Sequence, residues 1–156
     1  MTSLRSLAAL AIATAGGAGY APFAPGTVGS AVGLLLWWAL PQAVSVHVFV
    51  IVLLFVLGSW GGSVAEHHFQ KTDPGEVVAD EVMGMLITLL MIPVGWKGAL
   101  AGFLLFRLLD VVKPPPANWL ERLPGGAGIM ADDAMAAIYA NLALRAVLVL
   151  GNRIAG

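Results

Sequence analysis

Long, continuous apolar stretches broken by short polar segments dominate the chain. Five stand out: Leu4–Ala18, Val28–Leu40, Val44–Gly62, Val82–Val112 and Ala134–Leu150. None alternates with the period of two that marks a half-exposed strand, so the pattern predicts helices. The fourth stretch is too long for one helix crossing and contains Pro93-Val94-Gly95-Trp96-Lys97. Proline and glycine beside a charge signal a turn, which divides it into helices over Val77–Ile92 and Gly98–Val112. Pro41-Gln42 separates the second and third stretches in the same way. Several of these helices fall short of the ~20 residues of a full membrane crossing, so they are expected to run on into the polar segments at their ends. The expected fold is all-α: a small polytopic membrane helix bundle with about four spanning helices, forming a single domain over residues 1–156. Leu4–Ala18 is short and ends in glycine, so it is expected to be re-entrant or interfacial. Arg5 followed by Leu7–Ala15 also resembles a short secretory signal; the Gly16-Gly17-Ala18-Gly19 run, part of a motif described below, favours a retained helix.

Composition agrees with a membrane solvent. Hydrophobic residues make up 59% of the chain and charged residues 11%, against roughly half and a quarter in ordinary globular proteins. Backbone groups in lipid must bond internally, which leaves helices or closed barrels, and unbroken apolar runs do not fit a barrel's alternation. A net charge of −1 gives no footprint for nucleic acid. The absence of cysteine excludes a thiol nucleophile, a disulfide framework and a thiolate metal site. With four crossings, Tyr20–Gly26, Ser63–Ala79 and Lys113–Asp133 share one side with Arg5, Lys71, Lys113 and Arg122, while Lys97 and Arg153 lie opposite. Excess Lys and Arg mark the cytoplasmic face, so the polar loops are expected there.

The few charges sit where they are expensive. Asp80-Glu81 abuts Val82-Met83-Gly84-Met85, Arg107 and Asp110 lie within Phe103–Val112, and Asp132-Asp133 precedes the last apolar stretch. Ionisable groups at such positions point to function. Arg107, Asp110 and Lys113 are spaced i, i+3 and i+6 and descend one side of a helix end. Asp80 and Glu81 point about 100° apart on a helix, so they share a pocket only if it lies between helices. Asp80, Glu81, Asp110, Asp132 and Asp133 then converge on one membrane face. Such a group must be protonated or neutralised. Oxygen-ligated hard cations neutralise it, and Mg²⁺ is the usual one with phosphate substrates. Arg107 and Lys113 supply positive charge for a phosphate. Structural readings compete: a helix macrodipole accounts for one of Asp132 and Asp133, and Arg107–Asp110 could be an ion pair of the fold. Asp80-Glu81 exceeds what a helix cap needs. Pro25-Gly26-Thr27-Val28-Gly29-Ser30 reads as a rigid turn into a helix, with Thr27 or Ser30 as cap, although free N–H groups there would form an anion site. Gly125–Met130 reads as a flexible loop. His67 and His68 lack the i, i+4 partner of a zinc helix.

Together these motifs resemble the phosphatidylglycerophosphatase A family. The blocks are Gly17-Ala18-Gly19 with Pro25 to Ser30; Asp73-Pro74-Gly75 leading to Val78-Ala79-Asp80-Glu81-Val82-Met83-Gly84-Met85; Phe106-Arg107-Leu108-Leu109-Asp110-Val111-Val112-Lys113-Pro114-Pro115-Pro116; and Gly125 through Asp133. All four occur in order between Ala13 and Asn141. The one departure is Pro115-Pro116-Ala117, where a larger apolar residue is expected after the second proline. The resemblance implies Mg²⁺-dependent hydrolysis of phosphatidylglycerophosphate to phosphatidylglycerol at the bacterial cytoplasmic membrane. It implies Asp80, Glu81, Asp132 and Asp133 as metal ligands, Asp110 as ligand or base, and Gly26, Thr27, Arg107 and Lys113 as phosphate contacts, turning Thr27 from cap to contact. A membrane CDP-alcohol phosphotransferase would need similar acids, but its Asp-Gly and Ala-Arg pattern is missing. A cation transporter could use the same carboxylates. Gly33, Gly58, Gly61 and Gly62 permit close helix packing and hence a homodimer.

Overall fold

The computed structural model describes residues 3–155; the side chain of Arg153 lies outside the described residues. Among these residues the chain is all-helical, with seven α-helices and no strand. They are α1 (Leu4–Ala13), α2 (Pro25–Ala39), α3 (Val44–Phe69), α4 (Ala79–Thr88), α5 (Trp96–Val112), α6 (Ala117–Leu120) and α7 (Gly126–Ala155), with one 3₁₀ turn at Ala18–Tyr20.

Two helices are long and apolar enough to cross a membrane: α3 with 26 residues, and the Gly126–Gly151 portion of α7, also 26 residues. At 1.5 Å per residue each reaches roughly 39 Å, beyond the ~30 Å hydrocarbon core. The expectation of about four spans is met only in part, because α2 and α5 have 15 and 17 residues. The outer faces of α3, α5 and α7 expose Phe49, Val52, Val56, Leu104, Leu108, Leu142 and Val147. An apolar surface of that extent suits lipid rather than water.

Helix α4 sits at the centre and packs on α2, α3, α5 and α7. Eight of its ten residues are buried. Such a close fit needs small residues on its neighbours. A Cβ on Gly33 of α2 would lie 2.8 Å from Met85 Cβ and 2.6 Å from the Val82 carbonyl oxygen, so only glycine allows this approach. Met85, Leu86, Leu89, Phe106 and Leu144 fill the main core between α4, α5 and α7.

A helix that ends inside an apolar bundle leaves carbonyls without partners. Here α7 supplies them. Asn141 Nδ2 donates to the carbonyls of Ile87, Thr88 and Leu90 at 3.0–3.1 Å. Arg145 Nη2 donates to those of Leu90 and Met91 at 3.0 and 3.2 Å. The Asn141 and Arg145 face of α7 is therefore a helix–helix contact. The other end of α4 is tied down by α1, whose Ala13 carbonyl accepts the Val78 N–H at 2.8 Å. The ten-residue α1 packs on α3, with Ala9 and Ala13 fully buried.

Two boundaries differ from the sequence reading. Helix α7 begins at Gly126, not at Ala134, so Gly125–Met130 is largely helix rather than a flexible loop. Its start is capped from another helix: Gly126 N donates to Ser63 Oγ at 2.9 Å. Helix α2 begins at Pro25, and neither Thr27 nor Ser30 is its cap; Ala24 holds that position with a left-handed backbone, and Ser30 Oγ donates back to the Gly26 carbonyl at 2.9 Å.

Replacing Asn141 with leucine keeps the branched heavy-atom skeleton and removes the donor. Buried carbonyls left unpaired cost about 1–3 kcal/mol, so Asn141→Leu should lower the thermal unfolding midpoint in detergent. An unchanged midpoint would contradict the capping role.

Candidate active site

Three helices bring charged groups to one end of the bundle. The first turn of α4 carries Asp80 and Glu81, where the helix N-terminus favours negative charge. The last turns of α5 carry Arg107 and Asp110, with Lys113 as its left-handed cap. Asp132 and Asp133 project from the second turn of α7. The start of α2 closes the site: a Cβ on Gly26 would lie 2.9 Å from Arg107 Nη2 and closer still to Glu81 Oε1. Glycine at position 26 leaves room for both side chains.

The acids fall into separate groupings. Asp80, Glu81 and Asp133 each turn one carboxylate oxygen inward, and those atoms lie within 4.8 Å of one another. Each of the three residues also keeps one buried oxygen without a hydrogen-bond partner: Asp80 Oδ1, Glu81 Oε2 and Asp133 Oδ2. Three anionic oxygens in so small a space repel unless a cation joins them. All the donors are carboxylate oxygens, the ligand set of hard divalent cations. This acidic cluster could hold a metal ion.

Asp132 stands apart from the cluster. Its Oδ2 accepts from Lys113 Nζ at 2.5 Å, and its Oδ1 accepts the Asp133 N–H at 2.9 Å. Burial works against the Lys113 ammonium, but its hydrogen bond to Asp132 and that carboxylate's charge outweigh burial and hold its pKa above the ordinary lysine range. Arg107 Nη1 pairs with Asp110 Oδ2 at 2.8 Å and with Glu81 Oε1 at 3.4 Å. It also approaches Ser30 Oγ at 3.5 Å. Asp110 lies close enough to Glu81 and Asp133 to interact with both electrostatically.

Thr27 differs from the expected anion site. Its side chain is exposed, and its N–H is not free, because it donates to the Ala24 carbonyl at 2.9 Å. His47 is buried at the opposite end of α3, and His67 and His68 stand on the last turn of that helix, outside the acidic cluster.

The sequence marks Asp73 only as part of a turn. It has a left-handed backbone and donates its N–H to Glu66 Oε1 at 3.2 Å. Burial raises its pKa, while the nearby Lys113 opposes the shift. Nothing local in the sequence marks this placement, since it depends on α5 folding back beside the turn.

The sequence profile of the phosphatidylglycerophosphatase A family matches residues 11–148. A phosphatidylglycerophosphatase A of Haemophilus influenzae is 39% identical over 126 residues, covering 78% of this chain and 77% of the relative. The phosphatidylglycerophosphatase A of Escherichia coli is 36% identical over 118 residues, covering 72% and 67%. A Bacteroides thetaiotaomicron protein named as a candidate phosphatidylinositol-3-phosphatase is 34% identical over 124 residues, covering 73% and 77%. No solved structure matches the chain. With a profile match over most of its length and two curated members above one-third identity, the chain belongs to the phosphatidylglycerophosphatase A family and is a phosphatase.

Proposed function

We propose that this phosphatase hydrolyses the terminal phosphomonoester of phosphatidylglycerophosphate, giving phosphatidylglycerol and inorganic phosphate for phospholipid biosynthesis, with Mg²⁺ as cofactor. Family membership supports the substrate. The observation that carries the chemistry is the set of three buried, unpartnered carboxylate oxygens on Asp80, Glu81 and Asp133.

These three residues would hold the metal. Bound there, Mg²⁺ supplies charge neutralisation at the phosphoryl oxygens and a more acidic water. The chain's own groups do the rest. Arg107, fixed by Asp110 and Glu81, would present its remaining N–H groups to the phosphate. Lys113, steered by Asp132, would supply a second positive charge where negative charge develops. Asp110 lies outside the three-carboxylate cluster and would accept the proton of the attacking water as the phosphorus–oxygen bond to glycerol breaks, the leaving glycerol oxygen taking its proton from solvent. Asp132 thereby becomes a positioning residue for Lys113, although the resemblance implied a metal ligand. Gly26 would admit the phosphate close to Arg107, and the Thr27 hydroxyl remains a candidate contact at the rim.

The lipid substrate and the two long apolar helices support a membrane location. We place α2 and α5 as two further crossings and the site on the cytoplasmic face of the inner membrane, following the Lys and Arg bias of the loops. The glycines expected to serve a homodimer are spent within the chain instead: Gly33 packs on α4, Gly58 and Gly62 on α7, and Gly61 on α1. A cation transporter with the same acids would move ions and release no phosphate.

Phosphate release from phosphatidylglycerophosphate in detergent micelles tests the activity. Release should require Mg²⁺, stop with EDTA, and fall by roughly 10²-fold or more in Asp80→Asn, the usual scale for losing a preorganised charged group. Folded wild-type protein that releases no phosphate would sink the reading. The ligand division makes a second prediction. The Mg²⁺ concentration for half-maximal activity should rise strongly in Asp133→Asn and little in Asp132→Asn, whose loss should appear in kcat. Equal Mg²⁺ shifts in both variants would return Asp132 to the ligand set.

A further inference from the structure

The acidic cluster accounts for the terminal phosphate and leaves the rest of the head group unexplained. The proposed substrate also carries a glycerol hydroxyl and, beyond it, an anionic phosphodiester that leads to the acyl chains. The Bacteroides relative is named for an inositol lipid, so a head-group pocket separate from the acidic cluster is a natural place for selectivity to reside.

A cavity of about 380 Å³ is lined by Glu66, Asp73, Glu121, Arg122 and Ile129 among others, and Ile129 stands one helical turn before Asp132 and Asp133 on α7. Asp73 links the two spaces. It lines the cavity, and it lies within electrostatic reach of Lys113 and Asp110. Its bond to Glu66 ties that wall to the last turn of α3. Arg122 is the basic residue of the lining, and among the described residues it forms no ion pair. Leu123, exposed and next to Arg122 in sequence, also lines the cavity.

We propose that this cavity is the head-group subsite, where Arg122 holds the internal phosphodiester and Asp73 accepts a hydrogen bond from the glycerol hydroxyl. The inference rests on the phosphatase reading above. A guanidinium fork matches two phosphodiester oxygens. An ionised carboxylate offers only acceptors and repels an anion, so the hydroxyl is the part of the head group that Asp73 can bind. The three-carbon glycerol would then bridge from the terminal phosphate at Lys113 to the diester at Arg122. A simple lipid phosphomonoester has no diester and could not use Arg122.

Steady-state kinetics on phosphatidylglycerophosphate in nonionic detergent micelles test the subsite. Arg122→Gln should raise KM roughly tenfold or more, the effect of deleting a charge-assisted hydrogen bond, with kcat unchanged. The inhibition constant of inorganic phosphate, which fills only the terminal-phosphate position, should not move. Arg122→Lys should recover part of the loss. Lys71→Gln, which removes an exposed charge from the same end of the molecule, should leave KM alone. An unchanged KM in Arg122→Gln, a parallel rise in the phosphate inhibition constant, or an equal KM rise in Lys71→Gln would overturn the proposal. Wild-type protein that releases no phosphate would instead overturn the phosphatase reading, and the subsite with it.

Discussion

Helix α4 begins and ends inside the protein, and both of its ends must be satisfied by other helices. It has ten residues, too few to carry its termini out to water across a bilayer core. At its C-terminal end, Asn141 and Arg145 of α7 take up carbonyls that lipid could not serve. At its N-terminal end, the free N–H groups and the helix dipole favour anions, and the sequence supplies Asp80 and Glu81 there. One short buried helix thus fixes the depth of the acidic cluster and the position of its neighbours. Helix α2 must be glycine-lined to reach it, and α7 must carry its polar pair at the right height.

The charge balance follows from this placement. Asp80, Glu81, Asp110, Asp132 and Asp133 face two cations, Arg107 and Lys113. Lys113 is committed to Asp132, and Arg107 is shared between Glu81 and Asp110. Asp80 and Asp133 are left without a basic partner, next to the unpaired oxygen of Glu81. A buried anionic group of that kind is stable only with protons or a cation. Both basic side chains keep part of their surface exposed, 21% for Arg107 and 24% for Lys113.

Much of this was legible in the sequence, and the failures have physical causes. Unbroken apolar runs announced helices, and the scarce charges embedded in them gather at one end of the bundle, where Arg107 meets Glu81 and Asp110 and Lys113 meets Asp132. The start of α7 was misread because Ser63 of α3, rather than a local residue, caps it. Helix caps supplied by a distant segment leave no pattern near the boundary. The start of α2 offered Thr27 as a cap, but Ala24 takes that position and its carbonyl accepts the Thr27 N–H. The separation of Asp132 from Asp133 could not be read at all, since adjacent residues on a helix point about 100° apart and only the positions of Lys113 and Asp80 decide which goes where. The same holds for Asp73, whose neighbours come from α3 and α5.

The central claim is that Asp80, Glu81 and Asp133 share one divalent cation at the buried start of α4. Equilibrium binding of Mn²⁺ to the detergent-solubilised protein, followed by electron paramagnetic resonance, measures it without reference to activity. The account predicts a bound ion that Mg²⁺ displaces and that is lost in Asp80→Asn and Asp133→Asn but kept in Asp132→Asn. Wild-type protein that releases phosphate yet binds no Mn²⁺, or Asp80→Asn and Asp133→Asn proteins that bind it as tightly as wild type, would contradict it.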